Sequence, residues 1–419
     1  MAKLRALGKK KLFAIILLLI ALPLLLIVVK HQQNLRGRAA APDQLEAEGG
    51  VLGGSAVVKT DPLASGGQYV LFPNQTPTPT PVSTSLIAYT DYVVPPTIDK
   101  TGTTDTKQAQ LNFFASVPNG VDSTHQSRIV FPAGGVYRID AALRFGNRHF
   151  ITFEGNGATI KYVSVTGTNE NYSLFYLSNS PPNWNGPNSY VTIHNFTLIG
   201  SSPQPGVYLS GTSPTGGEGQ HGVLIGDGNN YEVYGNTIKG VWGDGLYVGG
   251  GADTIWLHNN DVQSVGRNGL TITSGSHVII DHNNFTKNGY MPFDIEPNSA
   301  TGSEPSSFIN FHNNTTGTWT NAWFAADGIP SNDVHDVILD SNHSTGKSLF
   351  SIVDIVNTGG PRRSNFTFTN NAGDVAGAGP IFRMAHVDGL IIKGNTQPLS
   401  SGSLTSVTDS TSVINGPNP

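Results

Sequence analysis

From residue 151 onward, apolar and polar positions alternate in short runs, and each run ends in a turn that carries asparagine. The runs are Ile151-Thr-Phe-Glu-Gly-Asn156, Val233-Tyr-Gly-Asn236, Ile255-Trp-Leu-His-Asn-Asn260 and Val278-Ile-Ile-Asp-His-Asn283. Four more follow: Ile309-Asn-Phe-His-Asn-Asn314, Val337-Ile-Leu-Asp-Ser-Asn342, Phe366-Thr-Phe-Thr-Asn-Asn371 and Leu390-Ile-Ile-Lys-Gly-Asn395. Val191-Thr-Ile-His-Asn195 fits between the first two with a slipped turn. Alternation with period two predicts half-buried strands. From Asn236 onward the turn asparagines are 23 to 31 residues apart, a regular repeat that marks a solenoid. A second strand register keeps the same period: Val223-Leu-Ile225, Leu246-Tyr-Val248, Leu270-Thr-Ile272 and Phe293-Asp-Ile295.

Strands this short are unstable alone, and stacked coils bury their alternate apolar side chains in one continuous core. Asparagines in one turn column then sit about 4.8 Å apart and can hydrogen-bond along the stack, as amide ladders do. Asparagine also tolerates the left-handed backbone that such turns need. A sandwich or propeller would require hairpin signals between adjacent strands, and these do not recur at regular spacing. The pattern therefore predicts an all-β chain, a right-handed parallel β-helix over residues 95–400, with a tail at 401–419. The Asn-X-Ser/Thr triplets at Asn195, Asn284, Asn314, Asn342 and Asn365 lie at or beside these turns, so they are read first as turn formers and only second as glycosylation acceptors.

The N-terminus has a different pattern. Lys3, Arg5, Lys9, Lys10 and Lys11 precede an apolar run, Leu12–Val29, which at 1.5 Å per residue covers about 27 Å. The run is expected to be a transmembrane signal-anchor. Positive charge before it puts residues 1–11 in the cytoplasm and the rest on the extracytoplasmic face, at the cell surface. A cleaved signal peptide ending at Ala39-Ala40-Ala41 is the rival reading. Residues 30–94 lose periodicity, and Thr76-Pro77-Thr78-Pro79-Thr80-Pro81 makes this stretch a stalk, extended where proline recurs.

Composition narrows the chemistry. The 419-residue chain has no cysteine, which excludes disulfides, thiolate metal sites and a cysteine nucleophile. Its net charge of −5 leaves no basic footprint for nucleic acid. Charged residues are only 13% and glycines number 50, which suits short strands and tight turns better than helices.

Ile129-Val-Phe-Pro-Ala-Gly-Gly-Val-Tyr-Arg-Ile139, followed by Ile151-Thr-Phe-Glu-Gly-Asn-Gly-Ala-Thr-Ile160, resembles the first coils of the pectate-lyase-like β-helix superfamily. The resemblance implies a short N-terminal capping helix, placed at Thr106–Ser116 after Thr104-Asp105. It implies a polysaccharide substrate or ligand, and it admits an oligomer, since many tailspike-like members are trimers. It does not select an activity, because that superfamily holds hydrolases, lyases, epimerases, tailspikes and adhesins. The Asn-Thr-Asp, Asp-Asp, Gly-His-Gly and Arg-Ile-Lys signatures of polygalacturonase-type hydrolases are absent, as is the Asp-Pro-His-Asp of alginate epimerases. Gln220-His221-Gly222 approaches the histidine motif but lacks its first glycine.

Outward positions of the second register give the candidate site. Leu224, Tyr247, Thr271 and Asp294 stack in coil order, and Ala325, Asp354 and Arg383 are expected to continue the column. Two residues further along each strand, Gly249, Thr273, Glu296 and Asp327 stack. Asp294 and Glu296 thus share a face, about 6.6 Å apart along the strand, with Asp327 about 4.8 Å away in the next coil. Carboxylates this close repel, so one should keep its proton while its neighbour ionises. Such a pair is what glycoside hydrolysis uses. Asp294 and Glu296 are the expected acid/base residues, supported by Asp327 and Arg267. Trp242, Asp244, Tyr247, Trp323, Asp354 and Arg383 are the expected substrate contacts, with aromatic rings stacking on sugars.

Arg267, in Gly266-Arg267-Asn268-Gly269, could instead serve a lyase as base or carboxylate binder. A lyase would commonly bind Ca²⁺, and the same acids could hold it through oxygen. A non-catalytic glycan-binding or structural surface module remains the third reading. His221, Asp244 and Asn268 share a turn column and are read as turn formers. His194, His258, His282, His312 and His343 are read as turn or surface residues.

Overall fold

A computed structural model describes residues 57–60, 68–71, 87–163, 172–178, 187–209, 217–297, 305–326, 333–354 and 362–416. The chain divides into two units, Met1–Thr84 and Ser85–Pro419. In the first, Val57–Thr60 pairs antiparallel with Gln68–Leu71. The apolar run 12–29 lies outside the described residues, among which no helix is long and apolar enough to cross a membrane.

The second unit is a parallel β-helix. Each full coil gives one strand to each of three sheets, of 12, 10 and 10 strands, whose neighbouring strands pair in parallel. One coil shows the circuit. Asn229–Tyr234 lies in the long sheet, Thr237–Lys239 in a second sheet and Leu246–Val248 in a third, before Ala252–His258 rejoins the long sheet one rung higher. This order fits the right-handed winding expected of parallel strands joined by crossovers. The second register is confirmed residue by residue, with Val223↔Leu246↔Leu270↔Phe293 in one line. We call this third sheet the site sheet.

The core is the stack of inward positions. Val233, Leu257, Ile280, Phe311, Leu339, Phe368 and Ile392 are aligned rung by rung along the long sheet, and all are buried. The asparagine turns form the expected ladder. Asn236, Asn260, Asn283, Asn314, Asn342 and Asn371 each donate a side-chain N–H to the next amide oxygen at 2.9–3.0 Å, and Asn395 is the last acceptor. One detail differs from expectation. The left-handed backbone belongs to the preceding residue, such as Asn259, His282, Asn313, Ser341 and Asn370, each with φ of 53–55°. In the slipped turn Asn195 takes that left-handed slot (φ 60°), and the Phe196 N–H caps the ladder by donating to Asn236 at 3.0 Å. Buried Asn314 and Asn342 are ladder members, so the structural role of those triplets is the one realised.

The sheets also reach past both expected ends. Ala88–Val93 pairs in parallel with His125–Val130, and Thr405–Thr408 pairs with Phe382–Ala385. Residues 88–93 and 405–408 are therefore strands of the helix rather than stalk and tail, because an open sheet edge recruits adjacent chain. The capping helix, α1, spans Lys107–Ser116. It buries Phe114 against the rings of Phe131, Phe145 and Phe153 at centroid distances of 5.1–6.2 Å, which closes the open end of the core.

Candidate functional site

The outward column of the site sheet runs Arg144, Tyr176, Leu224, Tyr247, Thr271, Asp294, Ala325, Ile352, Arg383. Asp354 is not in it. The strand Ser351–Val353 places Ile352 in the column. Asp354 follows the strand, with its N–H donating to Ala326 O at 3.3 Å as that of Glu296 does to Ile272 O at 2.9 Å. By that register it belongs to the column of Glu296. Its carboxylate meets His386 Nδ1 at 3.2 Å, away from Asp294. Arg383 is in the predicted column but three rungs from Asp294, about 14 Å, and its guanidinium lies over the Phe350 ring at 5.1 Å. Asp327 lies outside the described residues.

Around Asp294 a buried polar network crosses four coils. Asn268 directs every polar group it has: its N–H donates to Asp244 Oδ1 at 2.9 Å, and its amide N donates to Thr271 Oγ1 at 3.0 Å and to Asp294 Oδ2 at 3.1 Å. Its amide oxygen accepts from Met291 N–H at 3.1 Å. Arg267 forks between two acids, donating to Asp244 Oδ2 at 3.4 Å and to Glu296 Oε2. The close approach that brings Arg267 over Asp244 depends on Gly266, where a Cβ would collide with the Trp242 carbonyl. His221 Nδ1 accepts the Asp244 backbone N–H at 3.2 Å, and its ring stacks on Tyr247 at 4.5 Å. The Tyr247 hydroxyl donates to Thr273 Oγ1 at 3.1 Å.

Burial sets the charge states. Asp294 is 4% exposed. Burial holds its carboxyl well above the ordinary range, reinforced by Glu296 and opposed by Arg267. Asp244 is also raised by burial, with Arg267 and the Asn268 N–H pulling it down. Burial and the nearby guanidinium push His221 down to about 3, so the His221–Asp244 contact is a neutral hydrogen-bonded approach rather than an ion pair. Despite its own burial, Arg267 is raised by the charges of Asp244 and Glu296. Glu296 is the exposed member, with 43% of its side chain accessible. The arrangement thus places a buried carboxyl, shifted towards its protonated form, beside one gripped by a guanidinium, on the same face of one strand.

Apolar patches flank this centre on the same outward face. On one side Ala142, Tyr176 and Leu224 pack together with Tyr247 against them. On the other, Met291, Ala322 and Ala325 pack with Tyr290, Phe350 and Ile352. Trp242 is half-buried in the adjoining turn. Trp323 is not a surface aromatic. It is 1% exposed in the central core, where its indole N–H donates to Thr316 Oγ1 at 3.0 Å. The strand begins only at Phe324, and the turn before it leaves Trp323 free to rotate inward.

Of the predicted site residues, the structure brings together Asp244, Tyr247, Arg267, Asp294 and Glu296. It does not bring Trp323, Asp354 or Arg383 to them. His221, Asn268, Thr271 and Thr273 join the network although the sequence marked none of them as functional. A polar residue buried in a Gly-rich turn column was the available signal for His221 and Asn268. Among the described residues, no three His, Asp or Glu side chains gather as a set of metal ligands. The five histidines near the asparagine turns lie at the surface or between coils, four of them against carboxylates, as with His194 and Glu154 (3.3 Å) and His258 and Glu232 (3.1 Å).

No family model and no curated protein matches the chain. Among solved structures it is similar to an endo-xylogalacturonan hydrolase from Aspergillus tubingensis, at 13% identity and TM-score 0.49, covering 79% of this chain and 96% of that one. It is also similar to PfbA, a surface adhesin of Streptococcus pneumoniae, at 12% identity and TM-score 0.48, covering 78% and 91%. A family 28 exopolygalacturonase from Yersinia enterocolitica aligns at 12% identity and TM-score 0.41, covering 78% and 79%. The parallel β-helix itself rests on the strand pairing of this chain.

Proposed function

We propose that the site sheet binds a polysaccharide and hydrolyses it, with Asp294 as proton donor and Glu296 as the second carboxylate. The observation that carries this reading is the unequal environment of two carboxyls on one strand face, one buried and shifted towards its protonated form, the other exposed and gripped by Arg267. In the step this supports, Asp294 gives its proton to the glycosidic oxygen as the bond to the anomeric carbon breaks. Water then adds to that carbon as Glu296 takes one of its protons; the hydroxyl stays on the sugar, and the proton on Glu296 exchanges back to restore Asp294. Asn268 keeps the Asp294 carboxyl aimed and Arg267 keeps Glu296 in place. A lyase using Arg267 as base fits less well, because that guanidinium is engaged by two acids that favour its charged form.

The test is to incubate the protein with neutral and acidic polysaccharides, with and without Ca²⁺. New reducing ends and the absorbance of unsaturated products are followed together. Reducing ends without unsaturation support the hydrolase, and unsaturated ends refute it in favour of a lyase. A second reading, a glycan-binding face without catalysis, is favoured by one observation, the 4% exposure of Asp294. Binding without any new ends would establish it.

We further propose, on the sequence alone, that Leu12–Val29 tethers the β-helix at the extracytoplasmic face with residues 1–11 in the cytoplasm. Membrane fractionation followed by protease treatment of intact cells tests this. Recovery of the full chain in the soluble fraction would refute it.

A further inference from the structure

Building on the glycan reading of this site, we infer that the polymer it takes is neutral, and that the two apolar patches are its binding platforms on either side of Asp294. The first observation is charge. Asp244, Asp294 and Glu296 gather around a single guanidinium, and that guanidinium is consumed by Asp244 and Glu296. A uronate or sulfate on the substrate would sit against an excess of carboxyl oxygen and find no free cation within the network.

The other arginines of the outward column stand far off. Arg144 is five rungs from Asp294, about 24 Å, and Arg383 is three rungs, about 14 Å. Both are folded over rings, Arg144 over Tyr176 at 4.9 Å and Arg383 over Phe350 at 5.1 Å.

The second observation is where apolar surface lies. The accessible part of this face, from Tyr247 to Ile352, spans four rungs, about 19 Å. It is apolar at both ends and polar only at its centre. Half-buried Tyr247, backed by buried Tyr176 and Leu224, is one platform; half-buried Tyr290, Phe350 and Ile352, over buried Ala325, are the other. The C–H faces of neutral pyranose rings pack on such surfaces, and their hydroxyls can reach Thr273 and Glu296 between them.

The experiment is affinity electrophoresis of the full chain through gels containing laminarin, galactan or xylan, or else polygalacturonate or alginate, at low salt. Retardation by a neutral polymer alone is expected, weakened roughly tenfold by Tyr247→Ala and by Phe350→Ala. Circular dichroism confirms that each variant is folded, and Ile352→Asp is a second probe of the same platform. Stronger retardation by an acidic polymer would overturn the inference while leaving hydrolysis at Asp294 standing. So would retardation by neutral polymers that none of the three variants weakens. Failure of every polymer to retard the chain would also overturn it, whereas the hydrolase reading is decided separately by release of reducing ends.

Discussion

Asn268 and Asp294 are joined across adjacent coils by a 3.1 Å hydrogen bond from a side-chain amide to a buried carboxyl. The amide is fixed by two further bonds, to Thr271 and Met291, and the backbone N–H of Asn268 donates to Asp244. It therefore positions Asp294 without neutralising it, and burial keeps the proton on the acid. The site depends on this division of labour. A rigid stack of coils holds the donors in place, and the low-dielectric surroundings set the protonation state.

The proton on Asp294 has a consequence for stability. Its folded pKa lies above the ordinary value of 3.8, so the native state holds this proton more tightly than the unfolded chain. The contribution to stability is fully present below the unfolded pKa and is lost as pH rises through the folded one. Asp294→Asn lacks this loss. The melting temperature of the variant relative to the parent should therefore rise as pH is raised from the ordinary carboxylate range. A pH-independent difference would show that Asp294 is ionised in the native state. If Asp294 is the proton donor, kcat/KM should also fall along an alkaline limb at that same pKa.

Arg267 links two acids, one fully buried. Arg267→Met strands Asp244 in the interior and should destabilise the protein by roughly 3–5 kcal/mol. Arg267→Met with Asp244→Asn should recover much of that, since the double variant buries no orphan charge. Chemical denaturation of the four proteins measures the cycle, and additive effects would contradict the coupling.

The ladder can be tested at Asn314. Its amide N donates to Asn342 Oδ1, Ile280 O and His312 O at 2.8–3.0 Å, and its oxygen accepts both the main-chain and side-chain N–H of Asn283. Asn314→Ala leaves several of these groups buried and unpaired, at a cost of about 3 kcal/mol. The neighbouring Asn313 has φ of 53°, so Asn313→Gly should cost less than about 1 kcal/mol. Shifts in the urea midpoint compare the two, and equal shifts would refute a special role for the ladder.

His221 should stay neutral. Burial and the Arg267 charge push it down to about 3, and its Nδ1 accepts the Asp244 N–H, leaving the proton on Nε2. Nitrogen-15 NMR of the imidazole should show this tautomer with no titration through the usual histidine range. Protonation near 6.5 would mean that solvent reaches the ring.

Much of this fold was legible in the sequence because a solenoid repeats its physics. Alternating apolar residues, turn asparagines and a fixed period are the same signal many times over, and the ladder from Asn236 to Asn395 is readable as spacing. Strand ends were less legible. Asp354 was expected beside Asp294, but coil lengths vary, so counting from one coil to the next slipped by two positions and Ile352 holds that place. Trp323 has the composition of a surface aromatic, yet a turn sends it inward to Thr316, and local sequence does not encode that rotation. The acids Asp294 and Glu296 were visible as interruptions of a strand. Their environments were not, because burial by Asn268 and Arg267 from the neighbouring coil is a property of the stack.

The most direct test of the hydrolase assignment is the release of reducing ends from a neutral polysaccharide by the parent protein, Asp294→Asn and Glu296→Gln. The account predicts turnover by the parent without unsaturated product. It also predicts a loss of roughly 100-fold or more in each variant, with the fold intact. Turnover by both variants at the parent rate would contradict it, and the network around Asp294 would then be a structural feature of the coil stack.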